Sequence, residues 1–268
     1  MWYYNLVLLQ DGKFYVLDKS NIDEKQYIIG RGAVTEAIKA GRPIDYIMTA
    51  KGTNPGTIAA LAAKNGITVK EVSRVKLDGI CPQGNHQGVI AMAAAADYVS
   101  VEDILDAAEQ KGEPPFIIIS DGLEDPHNLG AVIRTADAVG AHGVIIPKRR
   151  AVGLTYGVGK ASAGAVEYVP VAKVTNLNAC IDDLKKRGLW IYGMDMDGQC
   201  WCEADLNGPA AFIVGNEGKG MSRLIREQCD FVLSLPMYGK INSLNASVAA
   251  GVILYEAARQ RNAIKAKN

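Results

Sequence analysis

Apolar runs of four to seven residues alternate with segments of helical spacing along most of this chain. Over residues 27–96, IIGRGAVTEAIKAG reads as a turn and helix, IDYIMTA as a strand, TIAALAAKNG as a helix, and ITVKEV and GVIAMAA as strands. Gly41 and Gly66 stand where a helix ends on a left-handed residue. Before this unit, the apolar and aromatic MWYYNLVLLQDGKFYVLD predicts a hairpin turning at Asp11 and Gly12. Near residue 100, Ser100 and Asp103 form a capping box, with Val101, Ile104, Leu105 and Ala108 on one helical face. Gly112, Pro114 and Pro115 stop that helix, which therefore reads as a linker between two domains.

Beyond Pro115 the pattern is strand FIIIS, helix NLGAVIRTADAVG, strand GVIIP, a Gly-rich stretch to Ala165, strand VEYVPV, helix LNACIDDLKKRG and strand LWIYGMD. Strand AAFIVG, helix MSRLIREQ, strand FVLSLP and a last helix over about residues 242–260 complete it. Short apolar strands alternating with helices predict an α/β fold with a mostly parallel sheet covered on both faces. Leu244, Val248, Val252 and Tyr255 recur at three to four residues in the last helix and predict a core stripe. The expected divisions are an extension over residues 1–26, a small α/β domain over 27–98, a linker helix over 99–115 and a larger α/β domain over 116–268.

Composition narrows the classes. The chain has 268 residues, 49% hydrophobic and 22% charged, with no apolar run near the 18 residues a membrane span needs. The N-terminus lacks the basic start and small-residue cleavage site of a signal peptide. Five scattered cysteines, Cys81, Cys180, Cys200, Cys202 and Cys229, do not form a disulfide framework and suit a reducing cytoplasm. Cys200 and Cys202 form only a C-x-C with no histidine nearby, so no metal site is expected. The 29 basic and 29 acidic residues balance, and the first 99 residues hold 11 and 9 of them. Any nucleic-acid surface is therefore a local patch, for which Lys148, Arg149 and Arg150 are the candidates beside the plain reading of a solvated charge run.

Glycine-rich turns invite a nucleotide reading, and the common fingerprints fail. GRGAVT at Gly30 lacks the third glycine of a dinucleotide site, and GNEGKGMS places Met221 where a P-loop needs lysine. Three polar or glycine-rich turns nevertheless follow strands, at residues 120–122, 215–218 and 236–239. In an open parallel sheet the carboxyl ends of strands line the ligand crevice, so these turns predict one shared pocket.

Three blocks carry a resemblance: DGLEDPHNLGAVIRTADAVGAHGVIIP over residues 121–147, FIVGNEGKGMS over 212–222, and LSLPMYGKINSLNASVAAG over 233–251. In this order they resemble the three motifs of the SpoU/TrmH family of RNA ribose 2'-O-methyltransferases. The resemblance implies a trefoil-knotted SPOUT domain, S-adenosyl-L-methionine as cofactor, and a homodimer with the active site beside the interface. By motif position, Gly215, Leu235 and Leu244 would hold the cofactor. The family assigns Arg134 to activation of the hydroxyl, with Asn128, Glu217, Ser243 and Asn245 around it. A guanidinium is a poor base, which favours Arg134 as a phosphate-binding group that stabilises a developing alkoxide. Read as structure alone, Arg134 is a helix-surface arginine, Asn128 a helix N-cap, and Leu235 and Leu244 core residues. The N-terminal unit, through IIGRGAVTEAIKAG and NHQGVIAM, resembles the L30e-like RNA-binding domain of the bacterial 23S rRNA guanosine-2'-O-methyltransferase branch, with His86 structural or RNA-contacting. A guanosine of 23S rRNA is the implied target. A tRNA ribose methyltransferase and a non-catalytic ribosome-binding factor of the same fold are the alternatives.

Overall fold

The computed structural model describes residues 6–8, 14–16, 27–39, 41–54, 56–81, 85–94, 96–241 and 243–263. They fall into two compact units, Met1–Ala93 and Ala94–Asn268. In the first, strands β1 (Leu6–Leu8) and β2 (Phe14–Val16) pair antiparallel with Leu6 opposite Val16, the hairpin arms expected there. The turn at Asp11 and Gly12 lies outside the described residues.

A four-stranded sheet follows, built from β3 (Tyr27–Ile29), β4 (Ile44–Ala50), β5 (Thr68–Val72) and β6 (Val89–Ala93) in the order β3-β6-β4-β5. Helices α1 (Arg31–Lys39) and α2 (Gly56–Lys64) bury Val34, Ile38, Ile58 and Ala62 against Ile47 on one face. The other face carries α3 (Arg74–Ile80), which the sequence pattern missed because Leu77 is its one buried residue. His86 is a structural residue: its Nδ1 accepts from the Gly88 amide at 2.9 Å and its Nε2 lies 2.8 Å from Asp78 Oδ1.

The second unit is a six-stranded, wholly parallel sheet of β7 (Phe116–Asp121), β8 (Gly143–Pro147), β9 (Val171–Val174), β10 (Trp190–Cys200), β11 (Ala210–Gly215) and β12 (Phe231–Ser234). Its order is β12-β10-β11-β7-β8-β9. Alternation along central β7 divides the core. Ile117 and Ile119 face α4 (Val101–Lys111), α7 (Leu177–Lys186) and α8 (Arg223–Gln228), while Phe116 and Ile118 face α5 (Pro126–Ala138), α6 (Tyr156–Ala161) and α9 (Ala246–Arg261). The helix read as a linker is α4, with its Ser100–Asp103 capping box in place, and its buried Ile104 and Ala108 make it part of this unit. Gly130 lets α5 meet α6: a Cβ there would lie 2.5 Å from that of Ala161.

Three sequence readings change. VEYVPV is not a strand: Ala165–Glu167 form a 3-10 turn, and β9 begins only after Pro170, which has no N–H for the ladder. The Gly-rich stretch contains α6, whose N-cap Thr155 accepts from the Val158 amide. The stripe on α9 points outward. Leu244, just before α9, and Val248, Val252 and Tyr255 on it are 44%, 52%, 40% and 57% exposed, while Ala250, Ile253, Leu254 and Ala257 meet the sheet. This helix is apolar on two faces, and its alanines allow the closer approach to β11.

Candidate active site

Because the sheet is parallel, the carboxyl ends of its strands open toward one edge; the ends of β10, β11 and β12 and the start of α9 line one pocket, while the turn at 120–122 after β7, expected to share it, does not line it. After β11 the chain folds back on itself: Asn216 and Gly220 exchange backbone hydrogen bonds at 2.9 and 3.0 Å. Gly215 is required here, because a Cβ would sit 2.5 Å from Gly220 C and Met221 N. Asn216 organises the turn, accepting from the Gly218 and Lys219 amides and donating to Gly122 O at 2.8 Å. Asp121, at the end of β7, accepts from the Ser222 amide at 2.7 Å. The β7 and β11 loops are thus tied at two points.

A second network joins these loops to the start of α9. Asn128, 6% exposed in the first turn of α5, donates through Nδ2 to Glu217 Oε1 at 2.9 Å. Its Oδ1 accepts from Asn245 Nδ2 at 2.8 Å and, at 3.2 Å, shares the single proton of Ser247 Oγ with Asn245 Oδ1. The orientation of the Asn128 amide follows from chemistry, since an ionised carboxylate only accepts. Asn245 caps α9 through Oδ1, which receives the Ser247 and Val248 amides and the Ser247 hydroxyl at 2.6 Å. Asn128 is not itself a cap: Asp125 caps α5 by accepting from the His127 amide at 3.0 Å, with Pro126 at the first helical position. With that need met nearby, the buried Asn128 amide links α5 to the β11 loop and to the start of α9.

The resulting pocket has a volume of about 300 Å³, at the lower end of small-molecule sites. Gly215, Leu235 and Leu244 line it, as do Glu217 and Ser243 on its polar side. Leu244 is exposed and Leu235 half-buried, so neither is a plain core residue. Arg134 stands apart: it is exposed on α5, with no side-chain partner among the described residues, and it does not line the pocket. Lys148, Arg149 and Arg150 leave the carboxyl end of β8, and the loop they begin is pinned beside the β7 loop by Val152 N–H donating to Leu123 O at 2.8 Å.

Sequence reasoning missed five contributors. Ser247 and Asn216 sit inside the quoted blocks but bond through the fold to residues far along the chain. Met194 and Asp195 form another wall of the pocket. Arg226 of α8 holds that wall from outside, pairing with Asp195 at 2.5 Å and Asp197 at 2.8 Å. Burial would lower the Arg226 guanidinium, and the two carboxylates outweigh it, so the net shift is upward. The run MDMDG was the available signal for this wall.

A tight glycine loop, apolar walls and a few placed polar groups fit an adenosine-bearing cofactor, which carries little charge at its base. Comparison with known proteins agrees. A sequence model of the SpoU rRNA Methylase family matches residues 115–255, and one for RNA 2'-O ribose methyltransferase substrate binding matches residues 27–99. A Bacillus subtilis protein assigned by name to the TrmH family of tRNA/rRNA methyltransferases is 51% identical over 245 residues, covering 90% of this chain and 98% of its own length. The AdoMet-bound structure of an rRNA methyltransferase from Sinorhizobium meliloti is similar at 26% identity and a TM-score of 0.56, covering 90% of each chain. The SpoU methyltransferase AviRb of Streptomyces viridochromogenes shares the fold at 24% identity and a TM-score of 0.57, over 92% of this chain and 95% of that one. The chain therefore belongs to the SpoU/TrmH family of S-adenosylmethionine-dependent RNA methyltransferases.

Proposed function

We propose that this enzyme methylates a ribose 2'-hydroxyl in structured RNA, with a guanosine of 23S rRNA as the target. The observation that carries this reading is the chain of hydrogen bonds from Asn245 through Asn128 to Glu217, which joins the start of α9 and the first turn of α5 to the β11 loop of the pocket. Bound S-adenosylmethionine supplies an electrophilic methyl group on a sulfonium. The protein must place a weakly acidic hydroxyl beside it, and orientation alone is worth several kcal/mol of barrier. Gly215, Leu235 and Leu244 hold the cofactor, and Asn128, Glu217, Ser243 and Asn245 shape the wall that the ribose meets. Arg134, exposed and with no side-chain partner among the described residues, grips the target phosphate in a forked contact and stabilises the developing alkoxide.

Residues 27–98 form the RNA-binding domain on this reading, residues 99–115 connect it to the methyltransferase domain over 116–268, and the cytoplasm is the site of action. Lys148, Arg149 and Arg150 extend the phosphate contacts beside the pocket. The exposed apolar stripe of Val248, Val252 and Tyr255, continued by Leu244, is covered by a second copy of the chain. Since Leu244 also lines the pocket, the homodimer places the active site at the interface.

Mapping 2'-O-methyl positions across rRNA and tRNA in cells with and without the gene tests substrate and activity together. Loss of one 23S rRNA guanosine methylation is expected; a lost tRNA methylation would make tRNA the substrate, and no lost position would leave an RNA-binding factor. Arg134→Ala should abolish methyl transfer and leave cofactor affinity within a few-fold by calorimetry. Loss of cofactor binding in that variant would overturn the assignment.

A further inference from the structure

The C-x-C pair has no part in the chemistry above, yet its geometry is specific. Cys200 Sγ and Cys202 Sγ lie 2.9 Å apart, Cys202 is exposed and Cys200 half-buried. Cys180 and Cys229 pack against the core of the second unit, and burial pushes each thiol up to about 11; Cys202 is also raised, chiefly by its hydrogen bond with Cys200, so what singles out this pair is the contact between its sulfurs and the exposure of Cys202. No group of three or more potential metal ligands occurs among the described residues, so two sulfurs in contact suit each other better than a metal ion.

We propose that Cys200 and Cys202 form a reversible dithiol–disulfide site, oxidised by a low-molecular-weight disulfide, that modulates the adjoining cofactor pocket. The exposed Cys202 thiolate attacks one sulfur of the disulfide RSSR and expels RS⁻, which takes up the proton lost from Cys202. Cys200 then attacks Cys202 Sγ, breaks the mixed disulfide and releases the second RSH. Two protein S–H bonds and one RSSR become one protein S–S bond and two RSH, so the protein is oxidised by two electrons and the reagent reduced by two.

Position connects this site to the pocket. Cys200 is the last residue of β10 and lies opposite Ser234 of β12. Ser234 Oγ donates to Gly198 O at 2.8 Å and Gln199 O at 3.2 Å, fastening the two strand ends together. Its neighbours Leu233 and Leu235 line the pocket, as do Met194 and Asp195 earlier on β10. Closing the small ring at 200–202 changes the backbone there and pulls on this wall. Trp201, between the cysteines and packed against the same core as Leu235 and Ala246, reports the change by fluorescence.

The proposal rests on the cofactor reading of the pocket. The full chain is incubated with glutathione disulfide or with dithiothreitol, then examined by intact mass, peptide mapping and calorimetry with S-adenosylmethionine. Oxidation is expected to remove two hydrogen masses, link Cys200 to Cys202, shift the tryptophan emission and weaken cofactor binding several-fold, with full recovery on reduction. Cys202→Ser, checked for an unchanged melting temperature, should show none of these effects, and Cys200→Ser should stop at a glutathione adduct on Cys202 with no ring closure. In the unsubstituted chain, a glutathione adduct that persists without ring closure, or a linkage involving other cysteines, overturns the site. Ring closure with unchanged cofactor affinity overturns its effect on the pocket. Failure of the reduced chain to bind the cofactor would instead overturn the pocket's assignment.

Discussion

Replacing Asn128 by aspartate tests the network with almost no change of shape. The Nδ2 that donates to Glu217 Oε1 at 2.9 Å becomes a carboxylate oxygen facing a carboxylate. Loss of the charge-assisted hydrogen bond removes about 1.5–3 kcal/mol. Two like charges about 4 Å apart repel by about 4 kcal/mol at an effective dielectric constant near 20, and the exposure of Glu217 screens a large part of that. The expected net cost is about 2–4 kcal/mol at pH 8, a large fraction of the 5–15 kcal/mol typical of a domain. The cost should depend on pH in a definite direction. The carboxylate pair retains one proton in the folded state to a higher pH than in the unfolded chain, so its apparent pKa is raised. Stability should therefore be restored as pH falls through that raised value and be lost again as pH rises. Urea denaturation of the second unit at pH 8 and pH 5.5 is the assay, with Asn128→Ala as a control that removes the amide without adding charge. The reasoning fails if Asn128→Asp matches the wild-type midpoint at pH 8, or if its deficit is the same at both pH values.

The remaining predictions concern other parts of the second unit. Arg226→Ala releases Asp195 from behind the pocket wall and should weaken S-adenosylmethionine binding by about tenfold, or about 1.4 kcal/mol, with kcat at saturating cofactor within about twofold. An unchanged cofactor KM would make Arg226 a structural residue only. Val252→Asp puts a charge into the exposed α9 stripe and should turn the proposed dimer into a monomer by analytical ultracentrifugation; a dimer of wild-type strength would move the interface elsewhere. Burial lowers the His142 pKa, while its hydrogen bond to Glu113 acts against this. The ring should thus titrate below the ordinary imidazole value by NMR. Its contribution to stability is full above the unfolded-state pKa and falls away as pH drops through the lowered folded value. Titration at or above the ordinary value would refute this.

Much of the site was legible as residue types at strand ends. Gly215 and Glu217, flanked by glycines, and Asn245 ahead of a helical run announce a tight loop and a cap, and both are where local chemistry puts them. The Ser100–Asp103 box and the glycines ending α1 and α2 were readable for the same reason, since capping involves neighbours three or four residues apart. Periodicity also indicated a parallel sheet, because strands buried on both faces need continuous apolar runs.

The partners of those residues were not legible. Asn128 looks like a cap from its own neighbourhood and is displaced from that role by Asp125; only the fold brings it to Glu217, 89 residues away, and to Asn245, 117 away. The outward stripe on α9 has the same spacing as a core stripe, and periodicity does not say which of two apolar faces meets the sheet; close packing decides in favour of the face with the alanines. Arg226 behind the pocket wall and the two sulfurs of Cys200 and Cys202 follow from where a strand ends and a helix returns. Sequence alone determined the elements and the polar residues at their ends, because those depend on neighbours a few bonds away. Tertiary structure decided which of them meet, because hydrogen bonds and ion pairs of about 3 Å depend on the path of the whole chain.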